Sequence, residues 1–303
     1  MRLHDRVKMH ADEVDIDVPL VRRLVAAQFP QWADLPVAPV KSSGTDNSMF
    51  RLGDDLAVRL PRMAWAVGNV EREQRWLPRL APLLPVAIPT PLGRGVADGG
   101  YPWQWSVFRW LDGANPVVDH VAEPDLLAGD LAEFITALRL IDTADGPRAG
   151  RGVHLATRDQ ATRAAIADLH GVIDTDRALA EWEEALAIPE SSGPAAWAHG
   201  DLSPGNVLIT GGRLTAVIDF GGVGVGDPTV DLIVAWNLLP ARSRTVFRTA
   251  LDVDDETWAR GRGWALSIAL IQLPYYLHTN PALAANARHV IREVLADRAG
   301  GAR

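Results

Sequence analysis

The chain has 303 residues, 48% of them hydrophobic and 22% charged, a globular composition that excludes disordered or low-complexity architectures. Its 30 Lys and Arg against 38 Asp and Glu leave a formal net charge of -8, so no nucleic-acid partner held through phosphates is expected. The absence of cysteine excludes disulfides, zinc–thiolate sites and thiol nucleophiles.

The first 17 residues are rich in acids and have no apolar h-region, unlike a signal peptide. The most apolar long stretch, 264–277, is too short to span a bilayer and contains Ser267, Gln272 and Pro274. A cytoplasmic protein without a membrane partner is therefore expected. Nothing in the sequence sets an oligomeric state. Lysine occurs only at Lys8 and Lys41, and every other basic residue is arginine, a bias of coding that argues against giving each arginine a special role.

In chain order, 37–41 reads as a strand, 42–47 (SSGTDN) as a turn, 48–52 as the return strand, 53–55 as a tight turn and 56–60 as a third strand ended by Pro61. The Asn, Asp and Gly of both turns suit an antiparallel meander. A helical period over 67–77 puts Val70, Trp76 and Leu77 on an apolar face, and Pro78 is expected to stop or kink it. A Gly-rich turn over 93–100 precedes 101–111 (YPWQWSVFRWL), aromatic and β-branched enough for two short strands.

Beyond Asp112-Gly113 the pattern becomes helical. Residues 126–141 form an amphipathic helix on Leu127, Leu131, Phe134, Ile135 and Leu138. Further helices are expected over 157–169, 175–186, 256–277 and 281–296, with a β-like island at 197–209 and 214–220. The reading is an α+β chain: a β-rich part, 1–111, joined to a mostly helical part, 112–303, without internal repeats.

The chemistry is concentrated in His199-Gly200-Asp201-Leu202-Ser203-Pro204-Gly205-Asn206, followed by Ile218-Asp219-Phe220-Gly221. A phosphoryl acceptor must be aligned with the γ-phosphate, and a carboxylate such as Asp201 can orient its hydroxyl while accepting its proton. Magnesium takes a few hard oxygen ligands and keeps part of its hydration shell, and Asn206 and Asp219 offer an amide oxygen and a carboxylate of that kind.

These residues resemble the aminoglycoside phosphotransferase family of small-molecule kinases, which share the protein-kinase-like fold. H-G-D-x4-N stands where protein kinases have H-R-D-x4-N. The family's tail motif is present as Gly226-Asp227-Pro228-Thr229-Val230-Asp231-Leu232. The resemblance implies a bilobal molecule, with a nucleotide-covering β-rich N-lobe over 1–111 and a mostly helical C-lobe over 112–303 that carries the catalytic loop, metal site and acceptor pocket. It implies ATP or GTP with Mg2+, and a small-molecule hydroxyl acceptor.

Residue by residue, Asp201 is the implied base, and Asn206 and Asp219 are the implied metal ligands. Glu73, in E-x3-L-x2-L, is the implied partner of the third-strand basic residue, here Arg59 where the family usually has lysine. Ser43 and Gly44 occupy the turn that covers the phosphates. Arg109 and Leu111 offer a hinge carbonyl and amide to the nucleotide base. His199 and Asp231 are implied scaffold.

An aminoglycoside is the leading acceptor by resemblance. Macrolides, nucleoside or peptide antibiotics, and choline- or homoserine-like metabolites remain open, as does a nucleotide-binding pseudokinase. A protein kinase is disfavoured, because Asp219 is followed within a few residues by Gly226-Asp227-Pro228, which leaves no room for a peptide platform.

Several residues have structural readings beside the functional ones. Trp103, Trp105 and Trp110 suit core packing as well as an adenine slot. Asp227 and Asp231 read as capping or bracing residues. The acidic group Asp252, Asp254, Asp255 and Glu256 reads as a helix start as well as an acceptor site. Trp236, Asn237, Tyr275, Tyr276 and His278 are further acceptor-pocket candidates.

Overall fold

The computed structural model describes residues 14–40, 46–118, 120–191 and 193–301. Contacts divide the chain into two compact units. The first runs to Pro82 and includes Ala87–Asp112 and Ile218–Gly221; the second comprises Leu83–Val86, Gly113–Val217 and Gly222–Arg303. The short segment bearing Asp219 thus belongs with the first unit, although a boundary drawn at 111/112 leaves it with the second.

The first unit opens with a helix absent from the sequence reading, α1 (Val18–Gln28). Asp17 caps it by accepting from Leu20 N at 2.8 Å, and Pro19 sits in the first turn, where its missing N–H costs nothing. Its buried face, Leu20, Val21, Leu24 and Val25, packs in one cluster with Leu52, Val58 and Trp105. The strands are β1 (Val37–Pro39), β2 (Asn47–Leu52) and β3 (Leu56–Pro61), then β4 (Pro91–Gly95) and β5 (Trp105–Arg109) after helix α2 (Val67–Leu80). They form an antiparallel sheet in the order β1-β2-β3-β5-β4.

Two expectations are corrected here. Pro78 does not stop α2, which continues to Leu80. A proline in the last turn costs one i→i−4 bond, and the complete burial of Leu77 and near-complete burial of Leu80 hold that turn in place. The Gly-rich stretch expected as a turn begins with strand β4, while 101–111 supplies one strand rather than two. Glycine is needed at Gly95 because the strand passes directly over Trp105: a Cβ there would lie 2.0 Å from Trp105 Cε2.

The second unit contains α3 (Pro124–Arg139), α4 (Asp159–Asp168) and α5 (Thr175–Ala187). Strands β6 (Ala196–Ala198), β7 (Val207–Thr210), β8 (Arg213–Val217) and β9 (Gly224–Gly226) follow, pairing as β6–β9 and β7–β8. The chain ends with α6 (Val234–Leu238), α7 (Ala241–Leu251), α8 (Asp255–Tyr276) and α9 (Pro281–Gly301). Helix α8 is the centre of this unit, in contact with α4, α5, α6 and α9. Its buried residues, from Trp258 to Leu273, lie on every side of the helix, as expected of a helix with neighbours all around.

Strand β9 was not expected. It packs against the backbone of the 147–152 segment so closely that a Cβ on Gly224 would lie 2.5 Å from Ala149 N. Among the described residues, no helix is long and apolar enough to cross a membrane.

Candidate active site

In the first unit the chemistry centres on Arg59. Its place in β3, paired with Met49 of β2 and Ser106 of β5, puts it in the middle of a strand whose six residues are all buried. A buried cation needs anionic partners, and Arg59 has two. Nη1 donates to Glu73 Oε1 at 2.5 Å and Nη2 donates to Asp219 Oδ1 at 2.6 Å. With its amide oxygen turned to the guanidinium, Asn47 of β2 accepts from Nε at 3.1 Å and Nη2 at 2.8 Å.

Burial disfavours the Arg59 charge, but Glu73 and Asp219 more than offset that, and its pKa lies above the ordinary arginine value. Glu73 is 1% exposed; burial pushes its carboxyl up, while Arg59 and the Phe220 N–H work against that rise.

Asp219 has φ +65, the left-handed region that non-glycine residues seldom occupy. The β8 strand ends at Val217, and this sharp reversal turns the Asp219 carboxylate toward Arg59 while Phe220 is wholly buried behind it.

The second unit holds Asp201, on the loop after β6. Asp231 is wholly buried and accepts from His199 N at 2.8 Å and Gly200 N at 2.7 Å. Burial pushes the Asp231 carboxyl up, and the two N–H donors and nearby His199 and Arg139 oppose it. Gly200 has φ +83, a conformation that a side chain would strain. His199 Nδ1 accepts from Asp201 N at 3.2 Å. These bonds fix the backbone from which Asp201 projects.

Asn206 closes the loop after a 3-10 turn, Pro204–Asn206. Its Nδ2 donates to Asp201 O at 2.8 Å and to Asp201 Oδ2 at 3.1 Å. Both amide hydrogens are thereby directed at Asp201, which leaves the amide oxygen as the atom available to a ligand.

Two residues of this unit escaped the sequence reading. Asn115 donates to Gly205 O and Val207 O, both at 2.9 Å, and so holds the loop from below. Arg151 donates to Gly200 O at 3.0 Å and ion-pairs with Asp201 Oδ1. Both lie in irregular segments where no periodicity or motif marks them.

At the end of β5, Arg109 N donates to Thr90 O at 2.9 Å and Trp110 N to Asp55 O at 2.7 Å, whereas Leu111 N enters no backbone hydrogen bond among the described residues. Ser43 and Gly44 lie outside the described residues, as does Lys41.

Several alternative candidates have structural tasks. Trp105 is fully buried, edge-on to Phe29 at 5.3 Å. Trp103 packs against the same cluster, and Trp110 lies under the Arg51 guanidinium at 4.2 Å. Trp236 is buried against Trp258 at 4.6 Å, and Asn237 is buried with Nδ2 on Ile233 O. Asp254 caps α8 through Thr257 N at 2.7 Å, and Asp227 caps the turn Pro228–Ile233 through Thr229 N at 3.0 Å.

Residues 38–264 match the model of the phosphotransferase enzyme family. In structure the chain is similar to the GDP and kanamycin complex of APH(2")-IIia, with a TM-score of 0.75 and 19% identity over 91% of this chain and 98% of that one. It is similar to the streptomycin–ATP–APH(2")-IIa ternary complex, at TM-score 0.61 and 16% identity, over 92% of this chain and 97% of that one. It is also similar to the apoenzyme of macrolide 2'-phosphotransferase MphH from Brachybacterium faecium, at TM-score 0.62 and 23% identity, over 92% of this chain and 98% of that one. None of the curated protein sequences matches the chain. The likeness establishes an α+β, protein-kinase-like fold.

Proposed function

The chain belongs to the phosphotransferase enzyme family, and from that premise we propose that it transfers the γ-phosphoryl group of ATP or GTP to a hydroxyl of a small molecule, with magnesium. The observation that carries this reading is the Asp201 loop. Its backbone is locked by Asp231, and its carboxylate is oriented by Asn206.

In the transfer, an Asp201 oxygen accepts the proton of the acceptor hydroxyl as the oxygen forms a bond to the γ-phosphorus. The bond from that phosphorus to the bridging oxygen breaks, and the nucleoside diphosphate leaves with the electron pair. Arg59 supplies positive charge to the phosphates, and Glu73 keeps that cation in place, as a lysine–glutamate pair does in protein kinases. The Arg109 carbonyl and Leu111 amide take the nucleotide base. Ser43 and Gly44 are assigned to the phosphate-covering turn on the resemblance alone.

Asn206 and Asp219 suit magnesium. The oxygen of Asn206 is the amide atom not spent on Asp201, and the Asp219 side chain is 40% exposed. Magnesium keeps several waters and takes few carboxylates, so one amide oxygen and one carboxylate are donors of the right kind. When bound, magnesium neutralises charge on the phosphate oxygens.

The brevity of the chain between Asp219 and Gly226 favours a small acceptor over a peptide. The structural relatives include complexes with the aminoglycosides kanamycin and streptomycin and a macrolide phosphotransferase, so the likeness by itself does not set the acceptor's charge.

The test is mass spectrometry of a mixed panel of hydroxyl compounds incubated with the protein, magnesium and ATP or GTP, with Asp201→Asn as control. A gain of one phosphate on one compound class, lost in the variant, is expected. Nucleotide binding without transfer or hydrolysis would turn the reading into that of a pseudokinase.

A further inference from the structure

A guanidinium carries five N–H hydrogens in a rigid plane, and none of its nitrogens can accept. Any polar atom that meets Arg59 must therefore be an acceptor, which sets the amide of Asn47 with its oxygen inward. So turned, that single oxygen takes Nε at 3.1 Å and Nη2 at 2.8 Å. Glu73 Oε1 takes a hydrogen of Nη1 at 2.5 Å, and Asp219 Oδ1 takes the second hydrogen of Nη2 at 2.6 Å. Four of the five hydrogens are spent, and the one left is on Nη1.

Strand register explains how Asn47 reaches the cation. Strands β2 and β3 are antiparallel, with Met49 opposite Arg59 and Asn47 opposite Pro61. Residues opposite one another, or two apart along a strand, share a face of the sheet, so Asn47 is the diagonal neighbour of Arg59. Such diagonals span about 7–8 Å, which a long side chain can cross. On the other flank of β3, Ser106 stands opposite Arg59, but its hydroxyl accepts from Gln74 Nε2 at 3.0 Å instead.

The two carboxylates neutralise Arg59 without fixing its plane. Each holds one terminal nitrogen, and the group could still pivot about the line through Nη1 and Nη2. Asn47 holds Nε, the remaining corner of the plane, and three held corners leave no pivot.

We propose that Asn47 is a positioning residue for the nucleotide: by holding Nε it fixes the guanidinium plane, so that the hydrogen left on Nη1 is kept for a phosphate oxygen. This rests on the reading of Arg59 as the cation that meets the phosphates. A lysine at this position would bring three hydrogens on one atom. With Asn47, Glu73 and Asp219 all to serve, it would have none to spare. The donor count thus ties the arginine at 59 to the asparagine at 47.

The experiment is a double-mutant cycle on the full chain, with Asn47→Ala and Arg59→Lys made singly and together. Binding is titrated with ATP and with GTP in the absence of any acceptor, and urea unfolding is followed in parallel. For the nucleotide that the parent binds more tightly, Asn47→Ala should raise Kd about tenfold, the equivalent of one charge-assisted hydrogen bond. In the Arg59→Lys background the same substitution should change Kd by less than about twofold, because the Nε bond is already gone. Asn47→Leu, close to asparagine in volume but without an acceptor, should match Asn47→Ala, which separates the hydrogen bond from packing.

Equal rises in Kd in the two backgrounds would overturn the proposal. So would a lowered unfolding midpoint with Kd unchanged, the signature of a merely structural contact, or parental binding in Asn47→Leu. Binding of neither ATP nor GTP by the folded parent would bring down the reading of Arg59 itself, and this proposal with it.

Discussion

Arg59 and Asp219 stand 160 residues apart in the chain and 2.6 Å apart in space, Nη2 to Oδ1. The same guanidinium holds Glu73 through its other terminal nitrogen at 2.5 Å. This two-handed grip is what a planar fork can do and a compact ammonium cannot reproduce in the same geometry. Coding bias alone makes lysine an acceptable substitute; the geometry does not.

Arg59→Lys is accordingly expected to lose one charge-assisted bond, about 1.5 kcal/mol, and to raise nucleotide KM about tenfold. Arg59→Met strands Glu73 without its cation in a buried position and should cost about 3 kcal/mol or more of stability. Nucleotide titration and urea unfolding read the two effects separately. A normal KM in Arg59→Lys would leave coding bias as sufficient explanation.

Asp201→Asn keeps the loop's backbone bonds but removes the proton acceptor. Turnover on an identified acceptor should fall about 10²- to 10⁴-fold, while nucleotide affinity stays within about twofold. Steady-state kinetics with a parallel binding titration checks both, and retained turnover would move the base elsewhere.

Asp231→Asn places an amide where two backbone N–H groups need acceptors. Its NH2 end faces a donor, so one buried N–H goes unsatisfied, at about 1–3 kcal/mol. Thermal unfolding should show the loss. Turnover should fall with it, because the Asp201 backbone is hung from these bonds.

Stability in acid should depend on Asp130. Its bonds from Arg213 at 2.8 and 2.7 Å and from Leu214 N at 3.0 Å hold its carboxyl below the usual aspartate range, the Arg213 bonds first among the causes. A lowered folded-state pKa means that the contribution is whole above the ordinary value, about 3.9, and is lost as pH falls through the folded value. Asp130→Asn should therefore be less stable than the parent at neutral pH, with the difference shrinking below about pH 4. Melting curves from pH 2 to 7 would show it, and a difference independent of pH would assign the effect to packing.

The sequence is a good guide where local pattern and tertiary structure agree. The amphipathic repeat from Leu127 to Leu138 lies within α3, and the acidic run ending at Glu256 proves to be the capped start of α8. It is a poor guide where a contact decides. Gly93 and Gly95 look like turn residues until the rings packed against the strand are seen, Phe29 and Trp32 at Gly93 and Trp105 at Gly95. Helix α1 is short and preceded by an acidic stretch, and its apolar face makes sense only against the sheet's core cluster.

The same holds for the site residues. Asp201, Asn206 and Asp219 are marked by spacing. Arg151 and Asn115 are marked by nothing local, because their importance comes from meeting a loop 50 and 90 residues away.

The seam between β9 and the 147–152 backbone has a further consequence. Protein kinases keep their phosphorylation-dependent control in the segment after D-F-G, which is ordered or released by modification. Here that stretch is committed to pairing with β6, and at Gly224 it is wedged so tightly that even a methyl group is excluded. A hydroxyl-bearing residue inserted there would have to break the strand before a modifying enzyme could reach it. The contact that excludes a side chain at Gly224 thus also excludes a modification-controlled switch at that position.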